Sequence, residues 1–448
     1  MPTSTSDSSP ERLSTNVPGS PLPKTVVCFS GSRDYYQLAR ALQEAGLLEK
    51  LVTDLYLDLP NLPMGNAIGR RYPKLLARSC PGISRDQVVT PMRATLQTIL
   101  MKKGFASNER QTRLDQSIGR CARKLAWQTQ TALFSYSYYA GSAFLPGRQR
   151  PPLRFLFQLH PHPAVVRELL QEEMRRAPRF AASLKWEHEI GSPEKHFQSL
   201  CAEPQLANGW VVASSFTART LADRGIPRDQ IHVVPYGVDT RDFPCRDSAP
   251  REEEPFRVIW IGSMTQRKGL SYFLEAVGSL PQENLEVLIC GYHAVDRAVI
   301  ENYGIRSVRV FRALPTAELT KILRSCDLFV LPSLAEGFGH VILESMSSGV
   351  PVLTTASTCA ADIMEDRVHG FIAPIRDASA IAGRITWGRE HRSELHRMGL
   401  AAAAQARNFT WERFRKGIVT AYERMVQSHV SDGKPPAEDP QAPKGVVQ

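Results

Sequence analysis

The residues best equipped for chemistry are two carboxylates, Glu336 and Glu344, with seven residues between them, in the stretch LFVLPSLAEGFGHVILESMSSGVPV from Leu328 to Val352. Gly337 and Gly339, on either side of Phe338, let the backbone approach a ligand closely, and a helix starting there turns its unpaired N–H groups toward the same point. Glu336 then stands at the mouth of the loop. Glu344, about one and a half turns past Gly339, faces the crevice while Ile342 and Leu343 turn to the sheet. A phosphate-linked sugar nucleotide suits that division, with pyrophosphate on the helix start, sugar near Glu336 and ribose hydroxyls near Glu344. Spacing alone is equally compatible with a surface helix carrying solvated acids.

A second candidate cluster follows the apolar run Phe256–Ile261, where Gly262-Ser-Met-Thr-Gln-Arg-Lys268-Gly269 reads as a loop at a strand end. Arg267 and Lys268 are suited to a diphosphate, the first as a fork and the second as a point charge, although an isolated loop of this kind is also met as a solvated turn. His160, in His160-Pro-His162-Pro after the strand at 153–159, could hydrogen-bond a sugar, although histidines there are also met as structural or merely exposed. The two histidines lack a carboxylate or thiol at supporting spacing, so the text gives no metal site. Gly31, after the apolar run Thr25–Phe29, is a candidate for the floor of the cleft or a simple tight turn.

These residues need strands to hold them. Apolar runs at 131–140, 153–159, 210–215, 231–239, 256–261, 285–290, 308–311, 328–331, 350–354 and 370–373 alternate with helical periodicity. The segment after Gly31 carries Leu38, Ala39, Leu42 and Leu47 at helical spacing, and residues 61–128 read as helical and basic. Asn408-Phe-Thr-Trp411-Glu-Arg-Phe414 opens a last long helix. A polar stretch around 241–255, with Pro244, Pro250 and three consecutive glutamates, reads as a linker. The expected organisation is a disordered tail over 1–23, a first domain over 24–240, the linker, a second domain over 256–407, a helix over 408–430 and a second tail over 431–448. The pattern is α/β, two doubly wound Rossmann-like domains facing a cleft.

Composition narrows the function classes. A chain of 448 residues with 42% hydrophobic content is long enough for two cores. The Ser- and Pro-rich start lacks the pattern of a secretory signal, and no apolar run is long enough for a membrane-spanning helix. The eight cysteines are too scattered for a zinc or redox motif and read as reduced, in keeping with a cytoplasmic protein. Of the net charge of +10, residues 65–125 account for thirteen Lys or Arg against three acids. Such a surface suits anionic lipid at the inner face of a membrane, a phosphate-bearing acceptor, nucleic acid, or solvent alone.

The stretch 328–352 resembles the E-x7-E signature of retaining glycosyltransferase family 4, also called glycosyltransferase group 1, which has the GT-B fold. Strand, EGFG loop, both acids and Gly349-Val-Pro-Val352 occur in the family's order. Residues 214–239 are similar to the family's domain junction, and Lys268-Gly269 match its phosphate-binding motif, with Ser263 where the family has Arg. Arg312 stands where a glycine is usual near the nucleotide base. The resemblance implies transfer of a sugar, with retention, from a UDP- or GDP-sugar to an acceptor hydroxyl in bacterial-type polysaccharide, glycolipid or glycoconjugate synthesis. It also implies a C-terminal helix crossing back to the first domain, with Glu336, Lys268 and His160 as catalytic residues. Arg267, Gly337, Phe338, Gly339, Glu344 and Gly31 would hold the donor; with no D-x-D motif, no metal or other cofactor is expected to be required. Partners would be the nucleotide sugar, a lipid-linked or anionic acceptor and anionic membrane, with no specific nucleic acid. Another GT-B sugar-nucleotide enzyme of the epimerase kind, or an inactive polyanion- or membrane-binding protein, remain alternatives.

Overall fold

The computed structural model describes residues 22–58, 77–102, 108–145, 152–248, 252–292, 297–312 and 314–431. Most of both expected tails, part of the linker and parts of the basic segment lie outside the described residues.

Two parallel sheets carry the chain. The first contains β1 (Thr25–Cys28), β2 (Leu48–Val52), β3 (Val88–Val89), β4 (Ala132–Tyr136), β5 (Arg154–Gln158), β6 (Gly209–Val212) and β7 (Ile231–Val233), in the order β3-β2-β1-β4-β5-β6-β7. The second contains β8 (Phe256–Ile261), β9 (Leu285–Cys290), β10 (Val308–Phe311), β11 (Leu328–Leu331), β12 (Val352–Thr355) and β13 (Gly370–Ala373), in the order β10-β9-β8-β11-β12-β13. Helices cover both faces of such sheets, so the central strands are apolar throughout; every residue of β4 and of β11 is buried. Chain order reverses between β1 and β4 in one sheet and between β8 and β11 in the other. Crevices for ligands open at these points, beyond the carboxyl ends of the strands.

The first sheet departs from the sequence reading in three places. The helix after β1 stops at Glu44, and Gly46 at φ 71° turns the chain into β2, which leaves Leu47 outside the helix. β3 is a two-residue strand within the segment read as helical. The aromatic run at 131–140 remains a strand only to Tyr136, because Tyr138 takes φ 76° and a short helix begins at Ala140. All three lie where apolar periodicity is short and local turns decide the outcome.

The helix Trp411–Ser431 returns to the first sheet. Tyr422 packs edge-on against Phe155 at 5.3 Å and donates a hydrogen bond to the Pro23 carbonyl at 2.6 Å. Arg415 reaches Glu44 at 2.7 Å and Gln37 at 2.8 Å. The two passages between domains run side by side, with the Val238 N–H donating to the Phe409 carbonyl at 2.9 Å. Gly237 lies so close to Thr410 and Trp411 that a Cβ would overlap their backbone. Next to it, the Tyr236 ring stacks on His340 at 4.6 Å and meets Phe338 edge-on at 5.3 Å. Gly237→Val should overpack this hinge at a cost of about 1–3 kcal/mol, read as a lowered thermal midpoint; an unchanged midpoint would contradict the close packing.

Candidate active site at the cleft

The carboxyl ends of β8 and β11 meet at the switch point of the second sheet. Gly269, at φ 69°, brings the loop after β8 against the Pro332 carbonyl, with no room for a side chain. Lys268 is thereby placed in direct ion contact with Glu336. Arg267 donates to the Ala335 carbonyl at 2.8 Å and lies 3.3 Å from Glu336. Gly339, at φ 87°, is the N-cap of the helix His340–Ser347, whose first N–H groups face the same loop.

The first domain closes over these groups. Gly337 lies against Leu159 and His160, where a Cβ would overlap the Leu159 carbonyl oxygen. Its own carbonyl accepts a hydrogen bond from Ser214 Oγ at 2.6 Å. Glu187 receives Arg267 Nε at 2.8 Å and the Thr265 hydroxyl at 2.7 Å. Burial presses Glu187 upward, but Arg267, Thr265 and Lys268 outweigh it and hold the carboxyl below its ordinary value. Burial and Arg267 push the Lys268 pKa well below its ordinary value, against the opposing charge of Glu187. Further along the seam, the fully buried Glu173 accepts from Gln266 at 2.9 Å, Tyr272 at 3.0 Å and Arg376 at 2.6 Å.

The other sequence candidates are placed as follows. His160 faces the Tyr138 ring at 5.7 Å, and burial among Arg267, Arg33 and Lys268 holds it neutral, well below the ordinary histidine value. His162 diverges from it, since its Nδ1 accepts from Ala164 N at 3.2 Å to cap a helix. Gly31 lies at the end of β1 with φ 80°, its N–H donating to Asp54 at 2.8 Å. The Phe338 ring is packed inward against Tyr236 and His340, leaving only its backbone near the loop. Ser263 is exposed and Arg267 lies beside Lys268 instead, while Arg312 is exposed beyond β10. Sequence reasoning missed Glu187 and Arg33. Both lie in the first domain, and Glu187 meets Arg267 only through the fold.

Glu344 is half-buried, close enough to raise the pKa of Tyr35 on the loop after β1. Among the described residues no hydrogen bond or ion pair reaches its side chain, and burial alone pushes it up to about 7. The arrangement offers two cations and a helix start to a dianion, a carboxylate beside them, a neutral histidine opposite and a second carboxylate for hydroxyl groups.

Two facing Rossmann-like domains with a returning C-terminal helix define the GT-B architecture. The fold is shared over 90% of this chain with all of sucrose-phosphate synthase from Thermosynechococcus elongatus, at TM-score 0.64 and 16% identity. HepE from Anabaena, in complex with UDP-glucose, matches over 91% of this chain and 100% of its own at TM-score 0.55 and 14% identity. Residues 245–405, which hold Lys268, Glu336 and Glu344, match the model of the family described as glycosyl transferases group 1. The amylovoran biosynthesis glycosyltransferase AmsK of Erwinia amylovora is 26% identical over 238 residues, 50% of this chain and 57% of that one. The chain thus spans little more than half the length of that curated relative.

The titration of Glu344 has a stability consequence. A carboxyl raised from 4.5 to about 7 on folding binds a proton more tightly when folded, so its burial costs nothing below pH 4.5 and most above pH 7. Stability should fall as pH rises through that window. Glu344→Gln should flatten the slope and gain up to about 3 kcal/mol at pH 8, measured by denaturant unfolding. An identical pH profile in the variant would contradict an unpaired buried carboxylate.

Proposed function

We propose that this protein is a retaining glycosyltransferase that moves a sugar from a UDP- or GDP-sugar to an acceptor hydroxyl. The observation that carries the reading is the convergence of Lys268, Arg267, Glu336 and the Gly337–Gly339 turn at one switch point, facing His160 across the cleft. In the reaction the bond between the anomeric carbon and the diphosphate oxygen breaks, one to the acceptor oxygen forms, and the acceptor's hydroxyl proton passes to the leaving diphosphate. Negative charge grows on the leaving diphosphate, where Lys268, Arg267 and the helix start stabilise it without a required metal. Arg267 takes the place of the cation missing at Ser263. Glu336 holds the donor sugar, His160 contacts it from the opposite wall, and Glu344 accepts from the ribose hydroxyls. The backbone of Gly337, Phe338 and Gly339 approaches the diphosphate, with Gly31 at the floor.

In this reading residues 256–407 hold the donor and residues 24–240 the acceptor. The UDP-glucose in HepE supports a nucleotide-sugar donor, and the role of AmsK in amylovoran biosynthesis supports a place in bacterial polysaccharide or glycoconjugate synthesis. Calorimetry with UDP-glucose and GDP-mannose tests the site. Lys268→Ala and Glu344→Ala should each weaken binding roughly ten- to hundredfold, since charge-assisted hydrogen bonds contribute about 1.5–3 kcal/mol. Unchanged affinity in both variants would remove the assignment.

We further propose that the acceptor side of the protein works at the inner face of a membrane. No helix among the described residues is long and apolar enough to cross one. The helix Met92–Lys102 instead shows Met92, Leu96 and Ile99 at 86%, 54% and 44% exposure on one face, beside the exposed Arg93. Arg113, Arg120 and Lys124 on the neighbouring helix Asn108–Thr129 are also exposed. An apolar strip amid basic groups fits the boundary of an anionic bilayer. Replacing Met92, Leu96 and Ile99 together by Ser should reduce sedimentation with phosphatidylglycerol vesicles several-fold, and binding by the parent protein should weaken with salt. Undiminished binding by the triple variant would refute this surface.

A further inference from the structure

The loop after β1 holds a cation that the proposed donor chemistry does not use. Asp34, Tyr35 and Tyr36 are three consecutive non-glycine residues at positive φ, 41°, 53° and 63°. Such a run is strained and persists only where its surroundings hold it. The Asp34 carboxylate does so: it is buried beneath the loop, accepts from the Leu38 N–H at 3.1 Å and takes a hydrogen bond from the Tyr136 hydroxyl on β4. Gly31 is tied to Asp54, which Arg78 and Thr98 hold in turn at 3.0 and 2.8 Å. Two anchors thus clamp the loop on either side of Arg33.

Arg33 itself is exposed to solvent beyond the carboxyl end of β1, where the strand order of the first sheet reverses, and its charge is felt at Tyr139, Tyr138, Tyr236, His160, His188, Asp34 and Asp115. Its one hydrogen bond is a long one of 3.4 Å to the Tyr139 hydroxyl. Among the described residues no carboxylate lies within ion-pair distance of it. Asp34, the nearest acid in sequence, is anchored through Oδ2 alone, and Arg33 acts on it by charge without an ion-pair contact. The contrast with the opposite wall is plain, since Arg267 and Lys268 are matched by Glu187 and Glu336. An exposed guanidinium on an anchored loop, with no ion-pair contact among the described residues, is matched by an oxyanion that arrives with a ligand, and its planar fork suits phosphate.

We propose that Arg33 receives a phosphate group carried by the acceptor, at a subsite on the first domain distinct from the diphosphate site at Lys268 and Arg267. This rests on the glycosyltransferase reading above, because it assumes that the donor fills the wall of the second domain. Tyr139, which hydrogen-bonds Arg33, orients the guanidinium. The acceptor hydroxyl is then presented toward His160 and Glu336, with its phosphate turned to the loop after β1.

The test uses the full chain saturated with UDP, with glucose 6-phosphate as a phosphorylated polyol probe and glucose as its uncharged control, both titrated calorimetrically. The UDP-loaded parent protein should bind glucose 6-phosphate at one site and not glucose. Arg33→Gln should weaken that binding at least tenfold and Arg33→Lys by less, while both keep UDP affinity within twofold and unfold at the parent's midpoint. Glucose 6-phosphate affinity unchanged in Arg33→Gln, or absent in the UDP-loaded parent, would overturn the proposal. A parallel loss of UDP affinity in Arg33→Gln would assign the arginine to the donor and overturn it as well. Failure of the parent to bind UDP or GDP would overturn the donor reading itself, and this inference with it.

Discussion

The structure depends on one cluster of charges in the seam between its two domains: Lys268 and Arg267 from the second, Glu336 beside them, and Glu187 from the first. Withdrawing four ions from water is costly unless each finds a close partner with good geometry. The surrounding fold supplies that geometry. Gly269 lets the cationic loop sit on the end of β11, and Gly337 lets the acidic loop sit on the end of β5. Glu173 adds a second buried anchor to the same seam, gathering Gln266, Tyr272 and Arg376 around one carboxylate. In the proposed reaction a diphosphate takes over the cations and releases Glu336 toward the sugar. In that proposal the protein's own carboxylates stand in for the ligand's charge.

The hinge makes that exchange compatible with a stable molecule. The two interdomain passages lie against each other at Gly237 and Thr410, and Tyr236 packs among Phe157, Phe338, His340 and Phe414 beside them. His340 starts the helix that carries Glu344, so the aromatic packing and the nucleotide side of the cleft share one element. Burial, with Lys268 nearby, lowers the His340 pKa to about 4, and a neutral ring stacks on Tyr236 without adding charge to the seam.

The second domain was legible in the sequence because its strands are long apolar runs that end at chemistry-bearing loops. The runs at 256–261, 285–290, 308–311, 328–331 and 370–373 are the observed strands β8 to β11 and β13. Lys268 and Glu336, read from separate segments, come into contact because each lies in a loop that follows one of two adjacent strands of a single sheet. The first domain was less legible for physical reasons. β2 mixes Glu49 and Lys50 with its apolar residues, and β3 is too short to show a period. Glu187 contributes through a contact made 80 residues away in sequence, and Arg33 through a strained turn held by Tyr136. Neither long-range contact nor positive φ at Asp34 leaves a periodic trace in the text.

The central claim is that the Lys268–Arg267–Glu336 cluster is the donor's diphosphate site. A crystal structure of the protein with bound UDP-glucose or GDP-mannose tests it most directly. The account predicts the diphosphate on Lys268, Arg267 and the start of the His340–Ser347 helix, with Glu336 turned to the sugar and Glu344 to the ribose. A nucleotide sugar bound elsewhere, with the Lys268–Glu336 pair intact, would contradict it.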